Sequence, residues 1–385
     1  MRSTINVVIL GSTGSVGTQT LDVIALNSTR FSLYALCAGK NVTLLKEQIE
    51  RFNPRYAVVQ NEEDAQKLRM GVKNCCILCG KDAEADLASA PDTDVVVIAS
   101  SSLHPLPAFY AAAKAGKKIA ISNKETIVAC GDQMLAVAKA HGATVIPVDS
   151  EHNAVFQCLI GENNSDISSI LLTASGGAFR DLDKSELSRV TAKQALAHPN
   201  WKMGAKITID CATLANKGLE YIEAMRLFDV PADKVSVVMH RESIIHSMVR
   251  FSDGNVKAVM SVPDMRTPIS YALNFPQRVK TNLPDLDFTT LSALHFSTPD
   301  TDKFPCLALA ISAAHKGGIY PLVFTSANDV SVEAFMRNKI GFYGINYYTE
   351  LALSHFGDRN ANSVDEILAL DAEIKAYVLG KINQS

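Results

Sequence analysis

The sequence predicts an α/β and α+β multidomain protein, with an N-terminal Rossmann-type domain, a central α+β domain and a C-terminal helical domain. Three observations predict it. Through the first 150 residues, short continuous apolar runs alternate with amphipathic helical stretches, the pattern of a parallel sheet covered on both faces. From 151 onward, strands follow one another without a helix between each pair, which indicates an α+β arrangement. From 304 the apolar spacing is helical to the end of the chain.

In order, the strands expected in the first domain (1–150) are 5–10, 33–38, 56–59, 94–99, 118–121 and 143–148, each rich in Val, Ile and Ala. Helices are expected at 15–26, 43–51, 104–115 and 125–140. The second domain (151–275) opens with a helix at 152–161. Strands follow at 167–175, 205–209, 235–239, 246–251 and 255–262, with a helix at 215–228. Pro263, Pro268, Pro276 and Pro284 punctuate the next stretch, and 276–303 reads as a linker arm. Helices at 304–316, 326–338, 341–355 and 363–379 make the last domain (304–385).

Composition excludes several classes. A chain of 385 residues exceeds one ordinary domain and buries roughly 75% of its unfolded surface, so it needs neither disulfides nor a structural metal to fold. Thirty-seven Lys and Arg against 40 Asp and Glu give a net charge of −3, without the basic footprint of a nucleic-acid binder. No apolar run approaches the ~18 residues needed to span a bilayer. The run INVVIL (5–10) is already a strand and leaves no room for a signal peptide. Eight scattered cysteines form no disulfide framework, and Cys76–Cys79, without a second pair at zinc-finger spacing, reads as an ordinary apolar strand, with a metal or redox role as the alternative. A reducing cytoplasm is the expected setting.

The motif GSTGSVG, Gly11 to Gly17, follows the first strand directly and opens a helix. Glycines there let the backbone turn tightly and approach a pyrophosphate at the helix N-terminus. The spacing is G-x-x-G-x-x-G, a variant of the usual dinucleotide fingerprint, and a purely structural turn is the alternative. After the second strand stands Gly39-Lys40-Asn41, a cation where an NAD-binding protein has an acid. A cation suits the 2′-phosphate of NADP, although a lysine in a solvated turn looks the same.

Asp149 and Glu151 lie just beyond the last expected strand of the sheet, where ligands of α/β sheets bind. Carboxylates at i and i+2 share a strand face and can reach one hard cation such as Mg²⁺ or Mn²⁺. The same residues also read as a helix N-cap with an acidic first turn. Farther on, Asn216, Lys217 and Glu220 open a helix; Asn216 and Glu220 share a face, and Lys217 with Asn216 suits a phosphate. LTASGG (172–177) ends a strand in small residues that offer a hydroxyl and backbone N–H groups.

Nine strings in order, GSTGSVG, AGKN (38–41), SNKE (122–125), PVDSEH (147–152), LTASGG, HPNWKMG (198–204), ATLANKGLE (212–220), SIIHSMV (243–249) and PDMR (263–266), closely resemble the 1-deoxy-D-xylulose 5-phosphate reductoisomerases over essentially the whole chain. The resemblance implies an NADPH-dependent oxidoreductase of non-mevalonate isoprenoid biosynthesis. It implies retro-aldol cleavage, re-aldolisation and hydride transfer to give 2-C-methyl-D-erythritol 4-phosphate. It also implies a homodimer and one Mg²⁺, Mn²⁺ or Co²⁺ per site. It places Thr13, Gly14, Ser15, Val16, Gly39, Lys40, Asn41, Asn123, Glu125 and Gly204 on the cofactor, and Asp149, Glu151 and Glu220 on the metal. Lys124, Ser150 and His198 would meet the carbon chain of the substrate, Ser175, Asn216 and Lys217 its phosphate, and HPNWKMG would be a flap closing Trp201 over it.

Two departures stand out. Cys211 occupies a position where the family usually has a phosphate-binding serine, and a thiol is a weaker donor. His240 is followed by Arg241-Glu242 in place of the more usual Pro-Gln, which bears on a local loop or dimer contact. Two rival readings exist. In one, Cys211 is an acylating nucleophile, as in phosphorylating semialdehyde dehydrogenases, but it would need a nearby base and would have no use for a carboxylate cluster. In the other the chain is an NADPH-binding sensor without chemistry, which predicts a broken carboxylate triad; all three acids are present.

Overall fold

The computed structural model describes residues 4–201 and 203–384. Packing divides the chain into two compact units. The first comprises Met1–Thr126, Asp132–Asn153 and Met265–Leu283; the second comprises Ile127–Gly131, Ala154–Asp264 and Pro284–Ser385.

The first unit is doubly wound. Its elements are β1 (Ile5–Leu10), α1 (Ser15–Leu26), β2 (Phe31–Cys37), α2 (Val42–Phe52), β3 (Tyr56–Val59), α3 (Glu62–Gly71), β4 (Cys76–Cys79), α4 (Lys81–Ser89), β5 (Val95–Ile98), α5 (Leu106–Lys114), β6 (Lys118–Ile121), α6 (Lys124–Ala140) and β7 (Thr144–Pro147). The parallel sheet runs β4-β3-β2-β1-β5-β6-β7. Strand order reverses between β1 and β5, which opens a crevice beyond the carboxyl end of β1. Val7 to Leu10 and Val95 to Ile98 are buried without a break, as strands covered on both faces must be. Helices α3 and α4, around the short strand Cys76–Cys79, had no clear apolar period in the sequence because their buried faces are narrow.

The turn after β1 is held by backbone alone on one side: Gly11 N and Ser12 N both donate to Cys37 O at 2.9 Å. A Cβ at Gly17 would stand 2.2 Å from Gly11 O and 2.6 Å from Ser12 Cα. Only glycine lets α1 start this close to the turn. The chain later returns to this unit as α11 (Arg266–Asn274), which packs on α1. Lys118 Nζ donates to Leu273 O (3.0 Å) and Phe275 O (3.2 Å); burial, with Arg30 adding, lowers its pKa to about 8. This helix was not expected, since Pro268 looked like a breaker, yet in the first turn proline removes no helical bond.

In the second unit the four-stranded sheet runs β11 (Val256–Met260), β10 (Ile245–Phe251), β8 (Ile167–Ala174) and β9 (Val235–Met239). β8 and β9 are parallel and the other pairs antiparallel. α7 (Ser150–Cys158) precedes this sheet in the chain, and the short α8 (Ala192–Ala195), α9 (Ala205–Thr213) and α10 (Ala215–Leu227) come between β8 and β9. Residues 205–209 are therefore helical, against the strand expected from the alternating Lys-Ile-Thr-Ile. Tertiary context overrides β-propensity here: Ile209, Ala212 and Thr213 form a buried helical stripe, and Lys206 pairs with Asp210 at i+4. The last helices are α12 (Pro305–Lys316), α13 (Tyr320–Met336), α14 (Phe342–Phe356) and α15 (Val364–Gln384). Among the described residues no helix is long and apolar enough to cross a membrane.

Replacing Gly17 with alanine drives a methyl group into backbone that cannot yield. The expected cost is about 1–3 kcal/mol, the range for overpacking, together with weaker dinucleotide binding; urea unfolding and a cofactor titration measure the two.

Candidate active site

The dinucleotide turn sits at the switch point of the sheet. Gly14 is the N-cap of α1, a helix whose first turn carries no acid, so its N-terminal N–H groups favour an anion. Thr13, Ser15 and Val16 flank it on the partly open turn. Beneath, Ser12 is fully buried: its hydroxyl donates to Gln48 Oε1 (2.8 Å), and Gln48 Nε2 donates back to Ser12 O (2.9 Å). This clamp escaped the sequence reading, although Gln48 falls on the buried stripe of α2 beside Leu45 and Ile49, a polar residue where an apolar one is the rule. At the end of β2, Gly39 is half-buried and Lys40 exposed, while Asn41 caps α2 by accepting from Leu44 N at 3.1 Å.

Asn123 is engaged entirely by its own unit. Its amide donates to Ser100 O (2.7 Å) and Ser102 O (2.8 Å) and accepts from Thr126 N (2.8 Å). Those bonds cap α6 and set the start of the helix that carries Lys124 and the buried Glu125. Gly204, expected on the cofactor, belongs to the second unit as the N-cap of α9, with open space where a side chain would be.

Asp149 and Glu151 do not share a strand face. β7 ends at Pro147, and the Asp149 carbonyl already accepts the first helical bond, from Asn153 N at 2.8 Å. The N-cap reading thus describes the backbone, and a helix start still brings the two carboxylates within 4.8 Å of each other. Ser150 Oγ donates to Glu151 Oε2 at 2.5 Å. Asn153 Nδ2 ties the turn to Pro147 O at 2.8 Å. Lys124 Nζ donates to Asp149 Oδ2 at 2.6 Å, and His152 Nδ1 lies 3.2 Å from the same oxygen. Burial alone would raise the pKa of Asp149, but the Lys124 ammonium, with His152, outweighs it and holds the carboxyl well below the usual carboxylate range. Asp149 is an anion at any physiological pH, in a place only 8% exposed.

The second unit carries the remaining expected residues. β8 delivers Ser175, whose hydroxyl accepts from His198 Nε2 at 3.0 Å. The direction follows from the other ring nitrogen: Nδ1 accepts from Asn200 N (3.1 Å) and Trp201 N (3.0 Å), so the proton sits on Nε2. Burial, with Arg180 nearby, lowers the pKa of His198 to about 4. Asn200 Nδ2 donates to Arg241 O (2.6 Å) and Ser243 Oγ (2.9 Å), and the Trp201 ring meets His246 edge-on at 6.2 Å. Arg180 was not foreseen and nothing in its local sequence marks it; Asn200 lies within the HPNWKMG string, but no role was expected for it. A Cβ at Gly177 would lie 2.5 Å from Cys211 O, so the turn after β8 lies directly on α9. Cys211 is half-buried there. In α10, Asn216 and Lys217 both donate to Glu220, and all three are at most 6% exposed.

The structure therefore gathers Lys124, Asp149, Ser150 and Glu151 in the first unit. In the second it gathers Ser175 with His198 and Trp201, and Asn216 with Lys217 and Glu220. A doubly wound parallel sheet with a Gly-rich turn at its switch point defines the class of pyridine-dinucleotide-dependent oxidoreductases. Sequence profiles narrow the class: 1-deoxy-D-xylulose 5-phosphate reductoisomerase matches residues 7–131, its C-terminal domain matches 145–228, and the DXP reductoisomerase C-terminal domain matches 260–377. The chain is 45% identical over 377 residues to the 1-deoxy-D-xylulose 5-phosphate reductoisomerase of Chloroherpeton thalassium, covering 97% of each. It is 46% identical over 372 residues to that of a Geobacillus species, covering 96% of this chain and 98% of the relative. Among solved structures, a DOX-P reductoisomerase in complex with NADPH, fosmidomycin and magnesium superposes with a TM-score of 0.94 at 36% identity, over 98% of both chains. The Zymomonas mobilis enzyme in complex with NADPH gives 0.92 at 38%, over 99% of both. The chain belongs to the 1-deoxy-D-xylulose 5-phosphate reductoisomerase family.

His198 should remain neutral through the physiological range, with an imidazole titration midpoint near pH 4 by NMR; a midpoint near 6.5 would contradict the buried geometry. The folded pKa lies below the ordinary value of 6.5. The unfolded chain therefore binds the proton first, and stability linked to this residue is full above about pH 6.5 and is lost as pH falls toward 4.

Proposed function

We propose that the chain converts 1-deoxy-D-xylulose 5-phosphate into 2-C-methyl-D-erythritol 4-phosphate, using NADPH and one divalent cation, Mg²⁺, Mn²⁺ or Co²⁺. The observation that carries this reading is one arrangement found in each unit: a buried lysine bound to a buried carboxylate, Lys124 with Asp149 and Lys217 with Glu220. Asp149, Glu151 and Glu220 are assigned to the cation. Their donor set fits it, being all carboxylate oxygen, ionised in the case of Asp149 against a strong burial penalty, and hard oxygen donors suit these ions. When bound, the cation acts as a Lewis acid toward substrate oxygens and NADPH supplies the hydride.

The chain's own residues do the rest. Thr13, Gly14, Ser15 and Val16 bind the pyrophosphate at the N-terminus of α1, and Lys40 meets the 2′-phosphate, with Gly39, Asn41, Asn123, Glu125 and Gly204 shaping the remaining contacts. Lys124 offers a fixed ammonium, its direction set by Asp149, to negative charge that builds on substrate oxygens during retro-aldol cleavage and re-aldolisation. Ser150 and the neutral His198 act as hydrogen-bond donors to oxygens along the carbon chain. His198 suits this because its proton is on Nε2 and its other nitrogen is held by two backbone N–H groups. Trp201 covers the substrate and excludes water from a cleaved intermediate. Ser175, Asn216, Lys217 and Cys211 receive the phosphate, at the start of a 13-residue helix that favours an anion.

In this reading 1–150 is the NADPH domain, 151–275 the catalytic and dimerisation domain, 276–303 the arm and 304–385 the helical domain. The protein acts as a homodimer in the cytoplasm. Support for a dimer is the edge strand β11, paired on one side only among the described residues, with Val256 47% exposed. Support for the compartment is that none of the eight cysteines is in a disulfide.

Loss of NADPH absorbance on adding 1-deoxy-D-xylulose 5-phosphate, with and without Mn²⁺, tests the activity. Glu220→Gln should lower the metal-dependent rate by roughly 100-fold or more, since even outer-shell partners of a metal cost up to that much; full activity in this variant would remove Glu220 from the cation site. Cys211→Ser should lower KM for the substrate, by at most the ~1.5–3 kcal/mol that a hydrogen bond to a charged group is worth. An unchanged KM would show that the thiol position does not touch the phosphate.

A further inference from the structure

The helices assigned to the substrate phosphate are joined through a single residue. α9 ends and α10 begins at Leu214, which is buried and left-handed, at φ +60°. A branched side chain rarely adopts that conformation, and it persists only where its surroundings impose it. Local bonds close the kink: Thr213 Oγ1 donates to Asp210 O (3.2 Å) and accepts from Ala215 N (3.2 Å). The C-terminal helices grip both sides of it. On α10, a Cβ at Gly218 would stand 2.3 Å from Ala310 Cβ of α12, so the two helices pass at a distance only glycine permits.

On α9 the grip is electrostatic. The Asp210 carboxylate is almost fully buried and accepts from Asn328 Nδ2 of α13 at 2.8 Å. Lys206 Nζ lies 3.1 Å from Asp210 and 2.9 Å from Asp329 of α13. Lys375 of α15 continues the series, 3.6 Å from Asp329 and 2.8 Å from Asp371, and Ser326 Oγ donates to Asp371 at 2.6 Å. Charges of alternating sign thus run from α9 through α13 to α15. A carboxylate buried this deeply holds its place only while those partners hold theirs.

We propose that Asp210, Asn328 and Lys206 are positioning residues: by fixing α9 against α13 they place Cys211 and set the direction of the first turn of α10, and so aim Asn216 and Lys217 at the phosphate. The helical C-terminal segment then contributes to the affinity for the phosphate end of the substrate and not to the hydride step. This rests on the phosphate assignment made above.

The test uses the full-length enzyme with Asn328→Ala and Lys206→Met, and Lys206→Arg as the conservative partner. Five quantities are read: KM and kcat for the phosphorylated ketose, kcat/KM for the phosphate-free ketose, calorimetric affinity for inorganic phosphate, and NADPH affinity. KM for the phosphorylated substrate and the Kd for inorganic phosphate should both rise about tenfold, below the 100-fold that a misplacement of about 1 Å can cost. The phosphate-free ketose and NADPH should be unaffected, and Lys206→Arg should restore the parent values. Equal losses on both ketoses, or a phosphate affinity that does not move in the folded variants, would overturn the proposal. If Asn328→Ala does not fold, the half-exposed Lys206 carries the same comparison alone. Should the parent fail to turn over the phosphorylated ketose, the function is wrong, and the phosphate titration still decides the positioning claim.

Discussion

A carboxylate taken out of water has to be compensated where it stands, and three of them in this protein are each met by a lysine: Asp149 by Lys124, Glu220 by Lys217 and Asp210 by Lys206. The cost of burying an ion is several kcal/mol after relaxation, and geometry must be good to offset it. That requirement accounts for much of the architecture. Asn123 engages its whole amide to start α6 where Lys124 reaches Asp149; Asn153 ties the beginning of α7 back to β7; the kink at Leu214 brings Lys217 and Glu220 round at the head of α10. In the proposed reaction the same pairing is useful, since a lysine held by a carboxylate is a fixed charge rather than a mobile one.

The second unit shows the opposite strategy at His198. Here burial is left uncompensated, and the ring responds by remaining neutral, with two backbone N–H groups on one nitrogen and Ser175 on the other. A neutral donor can bind an oxygen without adding another cation beside Arg180. The same segment, through Asn200 and Trp201, is anchored by hydrogen bonds to Arg241 O and Ser243 and by the edge of His246.

The chain-specific departures fall in places of different consequence. Cys211 lies on the helix that the turn after β8 touches, so its change of chemistry bears on the anion site proposed there. Arg241 makes a two-pronged contact with Asp181 at 2.8 and 2.9 Å, and Glu242 pairs with His295 of the arm. Both are largely solvated pairs, which individually contribute little; the second joins the arm to the loop that holds Asn200.

Sequence alone determined the parallel sheet, the Gly-rich turn and the identity of the acids, because each rests on local chemistry: buried strands must be continuously apolar, and a glycine has no substitute where a Cβ would strike backbone. The nine motif strings did the same for the family. Tertiary structure decided what local pattern could not. It turned 205–209 from an apparent strand into a helix, because Ile209 and Ala212 find a buried face on one side only. It placed Asp149 and Glu151 on a helix start instead of a strand face, made Pro268 a first-turn residue, and set the tautomer of His198. Gln48, Arg180, Asn200 and Asn328 took on roles through partners 36 to 118 residues away or through loops with no period of their own. Such contacts depend on how distant segments pack, and a linear pattern holds no record of which buried polar group will meet which.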